Sequence, residues 1–562
     1  MSNMMKSGMR IRAAGIPPFF HRIFLAAMLG ISGFHALHGQ KIAPDVYWIY
    51  FTDKHNSGFE VSEPEAFLSA RSIERRAWQG LSIDATDLPV SGTYVDNLKN
   101  RGLEVLHVSK WLNGVAFRSS DPNILETLYK EPFIDSLQWT FPADENYAPP
   151  LPSNKRFNDP LDTPPDYDYG YSREQIEMIH VDILHKKGLT GSGVHIAVLD
   201  AGFKNVDSVP SFAAMISEGR LLDTVNFLGK YDMFRMSSAH GMYVLSIMGA
   251  EWNGNLIGTA PHATYLLCTT ENPYSEYPVE EVAWIEAAEL ADSLGFDVIN
   301  TSLGYSVFDD SLLNYTYEDM DGKTTYISRA ASMLAKKGII ATNSAGNSGD
   351  DDWYYITAPA DAKHILTVGA VDSLNHITEF SSRGPAYDHR IKPDVVGMGR
   401  ATAVQYFTGI PARGGGTSFS SPVIAGAVAV LWQAFPDLPA EDLIRIVQSN
   451  ADRFRNPDAT YGYGLPNFAR AYFDITSRPA FLSAESLEIY PNPATHFIMI
   501  KAPEALQQEY TLKYYDMQGR LIHQQILYLP GETELPKSLS PGIYMLQIRT
   551  GNGVYHTRLI RH

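Results

Sequence analysis

The spacing of hydrophobic positions changes twice along this chain, and the changes mark three blocks. In the first, from about Val46 to Trp139, strand-like runs at Val46–Phe51, Leu103–Val108 and Gly114–Arg118 alternate with helix-period patterns over Glu63–Trp78 and Asn123–Lys130. That mixture predicts a small α+β domain. The second block, about Ser172–Phe473, carries uninterrupted apolar runs at Val194–Leu199, Tyr265–Thr269, Val298–Thr301, Gly338–Thr342 and Ile365–Val371. Runs with so little polar alternation suit parallel strands covered on both faces. Helical patterns at Val279–Leu294, Tyr326–Lys336 and Ser418–Ala434 fall between or after them, which predicts an α/β fold with a parallel sheet and right-handed crossovers. The third block, about Leu482–His562, has strand patterns at Phe497–Lys501, Tyr510–Tyr515, Leu521–Tyr528, Ile543–Arg549 and Val554–Ile560, the last two joined through Gly551-Asn552-Gly553. It predicts a small antiparallel β domain of sandwich type.

The segments outside these blocks have their own composition. Basic residues Lys6, Arg10, Arg12 and Arg22 precede an apolar run from Ile23 to about Leu37, and Gly39 precedes Gln40. This reads as a cleaved signal peptide, the run being short for a spanning helix. Residues 142–171 hold Pro149, Pro150, Pro152, Pro160, Pro164 and Pro165 among many Asp and Asn, the composition of an exposed linker. The expected division is therefore a signal peptide at 1–39, an α+β domain at 40–141, a linker at 142–171, an α/β domain at 172–476 and a β domain at 482–562. The formal net charge of -18 argues against nucleic acid or an anionic membrane as the main partner. The single cysteine, Cys268, excludes an internal disulfide, and its apolar setting makes it a buried thiol.

Four motifs in the α/β block carry chemistry. Ser418 lies in GTSFSSPVIAGAVAVL behind Gly414, Gly415 and Gly416, opening an apolar helix that tolerates Pro422 in its first turn. A hydroxyl there lies at the positive end of the helix. His240, in SSAHGMYVLSIMGA, also begins an apolar helix, where the neutral, basic imidazole is favoured. Asp200 ends the strand pattern VHIAVLD, and functional groups of α/β sheets gather at the carboxyl ends of strands. Asn347, in SAGNSG, follows the run Gly338–Thr342 and offers an amide donor from a glycine-rich loop. Taken singly, these are equally a helix cap, a surface histidine, an Asx turn and a left-handed turn residue. Together they supply nucleophile, base, orienting carboxylate and oxyanion donor, in the order Asp, His, Ser known for one fold with this chemistry.

On these motifs the second block resembles the subtilisin-like serine proteases, or subtilases. AVLDAG (197–202), HGMYV (240–244), GTAP (258–261), TSLG (301–304), AGNSG (345–349) and GTSFSSP (416–422) are similar to family motifs. The resemblance implies an Asp200–His240–Ser418 triad, Asn347 at the oxyanion, and Ser302, Leu303 and Gly304 pairing with substrate backbone. Ala201 stands where the family usually has Ser or Thr, Met242 where it has Thr, and Phe419-Ser420-Ser421 where Met-Ala-Thr is commoner. The first block resembles a subtilase propeptide. The third, with YPNP (490–493), YDMQGRLI (515–522), LSPGIYMLQI (539–548) and a basic end, resembles the C-terminal sorting domain of type IX secretion substrates.

What these resemblances imply is a secreted, zymogen-type serine endopeptidase that acts on protein or peptide substrates. It would be exported by the type IX machinery of a Gram-negative bacterium, released or held at the cell surface, and have no stable membrane span. No cofactor is needed for that chemistry. Structural Ca²⁺ is possible with ligands unknown, and the Asp350-Asp351-Asp352 run reads as a solvated loop rather than a metal site. A surface binding protein on a degenerate protease scaffold and a maturation protease with one partner substrate are the alternatives.

Overall fold

The computed structural model describes residues 45–119, 121, 123–142, 166–229, 232–477, 488–501, 509–516, 520–528, 531–550 and 553–562. The expected signal peptide and residues 143–165 of the expected linker lie outside these residues. The first group of elements is β1 (Asp45–Phe51), α1 (Ala70–Trp78), α2 (Gly92–Asn100), β2 (Glu104–Ser109), β3 (Gly114–Ser119), α3 (Ile124–Leu128) and β4 (Ile134–Pro142). Its strands form one sheet in the order β2-β3-β1-β4, and the pairs β1–β3, β1–β4 and β2–β3 are antiparallel. The expected helix over Glu63–Trp78 is two pieces. A short 3₁₀ turn spans Pro64–Ala66, and Ser69 then accepts a hydrogen bond from the Ser72 amide to cap α1 afresh. Helix α2 and strand β4 escaped the hydrophobic pattern because their polar residues interrupt it.

The central elements run α4 (Arg173–Glu177), α5 (Val181–His185), β5 (His195–Asp200), α6 (Ala213–Ser217), β6 (Leu221–Asn226), α7 (His240–Gly249), the short hairpin β7 (Glu251–Trp252) and β8 (Leu256–Ile257), β9 (Thr264–Thr269), α8 (Val279–Leu294), β10 (Val298–Thr301), α9 (Tyr326–Ala331), β11 (Ile340–Ser344), β12 (Leu366–Val371), β13 (Val395–Met398), the hairpin β14 (Arg400–Gln405) and β15 (Pro411–Gly415), α10 (Thr417–Ala434), α11 (Ala440–Ser449) and α12 (Phe468–Ser477). Seven strands form one sheet in the order β13-β12-β11-β10-β5-β9-β6. Every neighbouring pair is parallel. Its two faces are buried under different helices. Val198, Val298 and Ile340 pack with α7 and α10, while Ala197, Leu199 and Ile299 pack with α8 and α9. This two-sided burial is why the strands read as continuous apolar runs. The edge strands β6 and β13 went unread, the first because Asp223, Thr224 and Asn226 break its run and the second because it is only four residues long. The pattern expected over Tyr326–Lys336 stops as an α-helix at Ala331 and continues as a 3₁₀ turn over Leu334–Lys337. Between Arg173 and His185 the chain forms two short helices instead of one, because His180 takes a left-handed conformation (φ 59°) between α4 and α5.

The last group, β16 (Glu488–Tyr490), β17 (Phe497–Lys501), β18 (Glu509–Tyr515), β19 (Leu521–Tyr528), β20 (Gly531–Glu534), β21 (Gly542–Thr550) and β22 (Gly553–Arg561), builds sheets β16-β17-β20 and β19-β18-β21-β22. Ile498 and Ile500 of the first sheet share a core with Leu512, Tyr514, Leu546 and Ile548 of the second, which makes a two-layer β-sandwich. The whole is thus an α/β domain with helices on both faces of a parallel sheet, flanked by a small α+β unit and a small antiparallel sandwich.

The first group is locked to the central one through α8. Glu289 accepts hydrogen bonds from Ser109 Oγ (2.5 Å), the Lys110 amide (2.8 Å) and the Trp111 amide (2.9 Å). Asp292, whose side chain is fully buried, is paired with Arg75 (2.7 Å), Arg76 (2.9 Å) and Lys110 (3.1 Å). Burial pushes the Asp292 carboxyl pKa up, but the charges of Lys110, Arg76 and Arg75 outweigh it and hold the group well below the usual carboxylate range. Arg71 meets Asp297 at 2.5 Å, and Gln79 bonds Gly338 and the Ala440 amide. These contacts lie along α8 and the amino-terminal edge of the sheet.

Candidate active site

The parallel order of β11, β10 and β5 brings three segments from distant parts of the chain to one carboxyl edge. Asp200 ends β5, Ser302–Gly304 follow β10, and Asn347 follows β11. Helices α7 and α10 both start at this edge and pack against each other. His240 is the first residue of α7, and its side chain is 35% exposed. Asp200 is buried, and its Oδ1 lies 2.7 Å from His240 Nδ1. Gly241 permits the approach, because a Cβ on it would lie 2.9 Å from the Asp200 Cβ and 2.8 Å from the Gly202 carbonyl oxygen. Burial lowers the His240 pKa, but the charge of Asp200 and its hydrogen bond more than reverse this, so the imidazole pKa is raised. Asp200 Oδ1 also accepts from the Ala201 amide (2.7 Å), whereas the buried Oδ2 finds no donor among the described residues. Ala201, which lacks a hydroxyl, offers no side-chain donor.

The helix expected to open at Ser418 starts one residue earlier, at Thr417, with Gly416 as its cap at φ 147°. Ser418 is therefore not a capping serine. Its hydroxyl donates to the Ser302 carbonyl oxygen at 3.1 Å, and the Ser302 hydroxyl donates back to the Ser418 carbonyl oxygen at 2.8 Å. The next residue, Phe419, stacks on the His240 ring with centroids 5.9 Å apart. The start of α10 is thus tied to the His240 ring, and the Ser418 hydroxyl is turned toward Ser302 and forms no bond to the imidazole. Such bonds commonly tighten only when substrate is bound.

Asn347 is exposed, and Gly346 rather than Asn347 takes the left-handed turn (φ 105°). Its Oδ1 accepts from the Thr417 amide (2.8 Å) and the Thr417 hydroxyl (2.9 Å). Two donors on one atom settle the amide orientation and leave Nδ2 as an outward donor. The Ser418 amide is one of the first-turn donors without an intrahelical acceptor. A Cβ built on Gly416 would lie 3.7 Å from Asn347 Nδ2 and 3.8 Å from the Ser418 amide nitrogen, so both donors border the same glycine. Phe419 stood out in the sequence only as a departure from the family motif and Thr417 had no role assigned, although their place on either side of Ser418 marks them as neighbours of whatever Ser418 touches.

The segment Ser302–Gly304 is held by an antiparallel bridge between Tyr305 and Ala358, with bonds of 2.7 and 3.0 Å. Leu303 O accepts from Asn343 Nδ2 at 3.4 Å, and Gly304 is exposed. The GTAP segment lies behind α10. A Cβ on Gly426 would fall 1.9 Å from Thr259 Oγ1, so the helix rests directly on that threonine. Other buried histidines are structural. His185 bonds the Tyr169 hydroxyl and Thr259 O, and burial pulls its pKa down to about 4. Cys268 is buried with its thiol pKa pushed up by burial.

One group of carboxylates among the described residues has metal-ligand spacing, Glu271, Glu276 and Glu280, with ligand atoms within 4.8 Å. Glu280 already accepts from the Asn272 and Tyr277 amides, and Glu271 from the Tyr305 hydroxyl. With those oxygens committed to holding the loop, the group is a poor fit to Ca²⁺, which takes six to eight oxygen ligands. No described helix is long and apolar enough to cross a membrane.

The subtilase family model matches residues 191–464, a peptidase S8 propeptide domain of Bacteroidota matches 46–155, and a secretion system C-terminal sorting domain matches 488–562. The serine protease AprX of Bacillus subtilis is 27% identical over 314 residues, which are 50% of this chain and 66% of AprX. Subtilisin E of the same organism is 27% identical over 380 residues, 67% of this chain and 85% of that protein. A solved structure of the prenylagaramide maturation protease PagA is 21% identical, with a TM-score of 0.42, over 53% of this chain and 98% of that one. The sorting domain and the Bacteroidota propeptide mark a secreted or cell-surface protein of a Gram-negative bacterium. The chain belongs, through residues 191–464, to the subtilase family, and carries that family's Bacteroidota propeptide domain before them and a secretion sorting domain after them.

Proposed function

We propose that this protein is a secreted serine endopeptidase that hydrolyses peptide bonds through an acyl-enzyme on Ser418. The observation that carries the reading is the Asp200–His240 pair at 2.7 Å beside a glycine-flanked serine and two oxyanion donors that border Gly416. Rotation about the Ser418 Cα–Cβ bond turns the hydroxyl from Ser302 O toward His240 Nε2, which takes the proton as Oγ attacks the peptide carbonyl. Asp200 keeps the Nδ1 proton in place and stabilises the imidazolium. Asn347 Nδ2 and the Ser418 amide receive the oxyanion, which Thr417 assists by fixing the Asn347 amide. His240 then protonates the leaving amine, the new amino terminus departs, and water repeats the sequence to release the acid. Residues Ser302, Leu303 and Gly304 hold the substrate backbone, and Ser418 also cuts the linker between about Phe141 and Tyr171 to free the catalytic unit.

The direct test is a fluorophosphonate probe, which phosphonylates only an activated serine. Wild-type protein should label at Ser418 and cleave peptides. Ser418→Ala should do neither, stay folded, and accumulate with its amino-terminal unit attached. An unlabelled but folded wild type would instead favour a binding protein on a protease scaffold.

A further inference from the structure

Next to the proposed cleft lies an open groove of about 870 Å³. Gly304 and Ser348 form the wall nearest the site, one from the segment after β10 and the other next to Asn347. Ser306 and the exposed Val307 contribute one small polar and one apolar side chain, and the rest of the lining is acidic and aromatic. Glu276, Asp350, Asp351, Asp352 and Trp353 face it, and none of the described residues lining it is basic. The three aspartates are exposed, and Glu276 is half-buried in front of Glu271 and Glu280. The Trp353 ring is fixed by its indole N–H, which donates to the Ile356 carbonyl oxygen at 3.2 Å. Beneath Gly304, Thr357 is 5% exposed, and its Oγ1 has no hydrogen-bond partner among the described residues. A Cβ on Gly304 would fall 2.2 Å from that oxygen, and one on Gly346 would fall 3.2 Å away, so the two glycines let the groove wall lie directly over an unpartnered buried hydroxyl.

We infer that this groove receives a basic side chain of the substrate, arginine above all, on the acyl side of the scissile bond. The inference rests on the serine endopeptidase reading of the same site. The attacked carbonyl binds at Asn347, so the residue that owns it, and those before it, run past Gly346, Ser348 and Gly304. A guanidinium there finds carboxylates for forked hydrogen bonds and an indole face for stacking, which is how arginine is distinguished from other side chains. An apolar or acidic side chain would leave four carboxylates without a counter-charge. Burial, and then the charge of Asp309, push the Glu276 carboxyl up to about 7, as expected of an acid that lacks a cation. The chain supplies a substrate of matching chemistry. Lys155 and Arg156, adjacent to one another and outside the described residues, are the basic residues between 142 and 171.

The test is a positional-scanning peptide library with mature enzyme, alongside fluorophosphonate labelling. Arginine at an acyl-side position should exceed leucine at least 10-fold in kcat/KM. Asp350→Asn/Asp351→Asn/Asp352→Asn and, separately, Glu276→Gln should each cut that ratio at least 5-fold. Both should leave kcat/KM for the leucine peptide within 2-fold and leave Ser418 labelling intact. The mature amino terminus should be Phe157, and Lys155→Gln/Arg156→Gln should remain uncut. A labelled, active enzyme that prefers apolar or acidic residues, or whose ratio survives both variants, overturns the inference and leaves the endopeptidase reading standing. Absence of both labelling and cleavage would overturn that underlying reading instead. The aspartates lie on an exposed loop, so their variant keeps the test usable even if Glu276→Gln does not fold.

Discussion

His240 sets the pH behaviour at the scale of single residues. Its raised pKa means that the imidazole is protonated, and useless as a base, up to a pH above the ordinary histidine value of about 6.5. Activity should therefore fall as pH drops through that raised value, and kcat/KM against pH should show an acid limb above about 6.5. In Asp200→Asn the carboxylate charge that raises the pKa is gone while burial remains, so the limb should move to lower pH. The tautomer is no longer enforced, and kcat should drop about 10⁴-fold. An acid limb unmoved by Asp200→Asn would show that another group controls it. The candidate residues Asp200, His240, Asn347 and Ser418 were legible only as a set, because each sits in a short motif that is ambiguous alone and the four motifs occur in one block in the order Asp, His, Ser. Thr417, Thr357 and Ser302 Oγ were not legible in these roles, since a threonine or serine hydroxyl acquires meaning only from what it faces.

At the scale of elements, the buried charges on α8 and α1 decide how the amino-terminal unit is held. Arg76 is 1% exposed and bonds Asp87 at 2.8 Å, Asp292 and Ser72 Oγ. Removing one partner from such a buried group leaves the others unpaired, at a cost of about 3–5 kcal/mol. Arg76→Ala, placed in the uncut Ser418→Ala chain, should lower its thermal midpoint by several degrees and reduce refolding yield. Arg101→Ala, which loses a partly exposed pair with Glu131 and an exposed bond to Asn97 Oδ1, should do little by comparison. Equal effects of the two would mean that the Asp292 cluster does not anchor the unit. The helical pattern over Glu63–Trp78 gives no hint of this, because nothing in a local period marks which charges of a helix will find a buried partner. Burial became the state of Arg75 and Arg76 only when α8 offered Asp292 across a separation of more than two hundred residues.

The three units divide the work of the whole molecule. The sandwich built by β16–β22 carries none of the residues placed in the cleft, and its family is one of secretion signals. Deleting residues 482–562 should leave the protein in the periplasm with fluorophosphonate reactivity intact, measured by labelling periplasmic and extracellular fractions. Unchanged appearance outside the cell would make the sandwich an accessory domain. The chain by itself determined the α/β class, the run of five of the seven sheet strands, the β-rich third unit and the identity of the four candidate catalytic residues. These follow from local periodicity and from motifs whose chemistry is intrinsic to their residue types. Tertiary structure decided the edge strands β6 and β13, the broken helices, the Ser302–Ser418 exchange of hydrogen bonds, the Arg75–Arg76–Asp292 cluster and the acidic groove beside Gly304. Each depends on groups far apart in sequence, and desolvation and charge pairing have no value until the fold sets the distance between them.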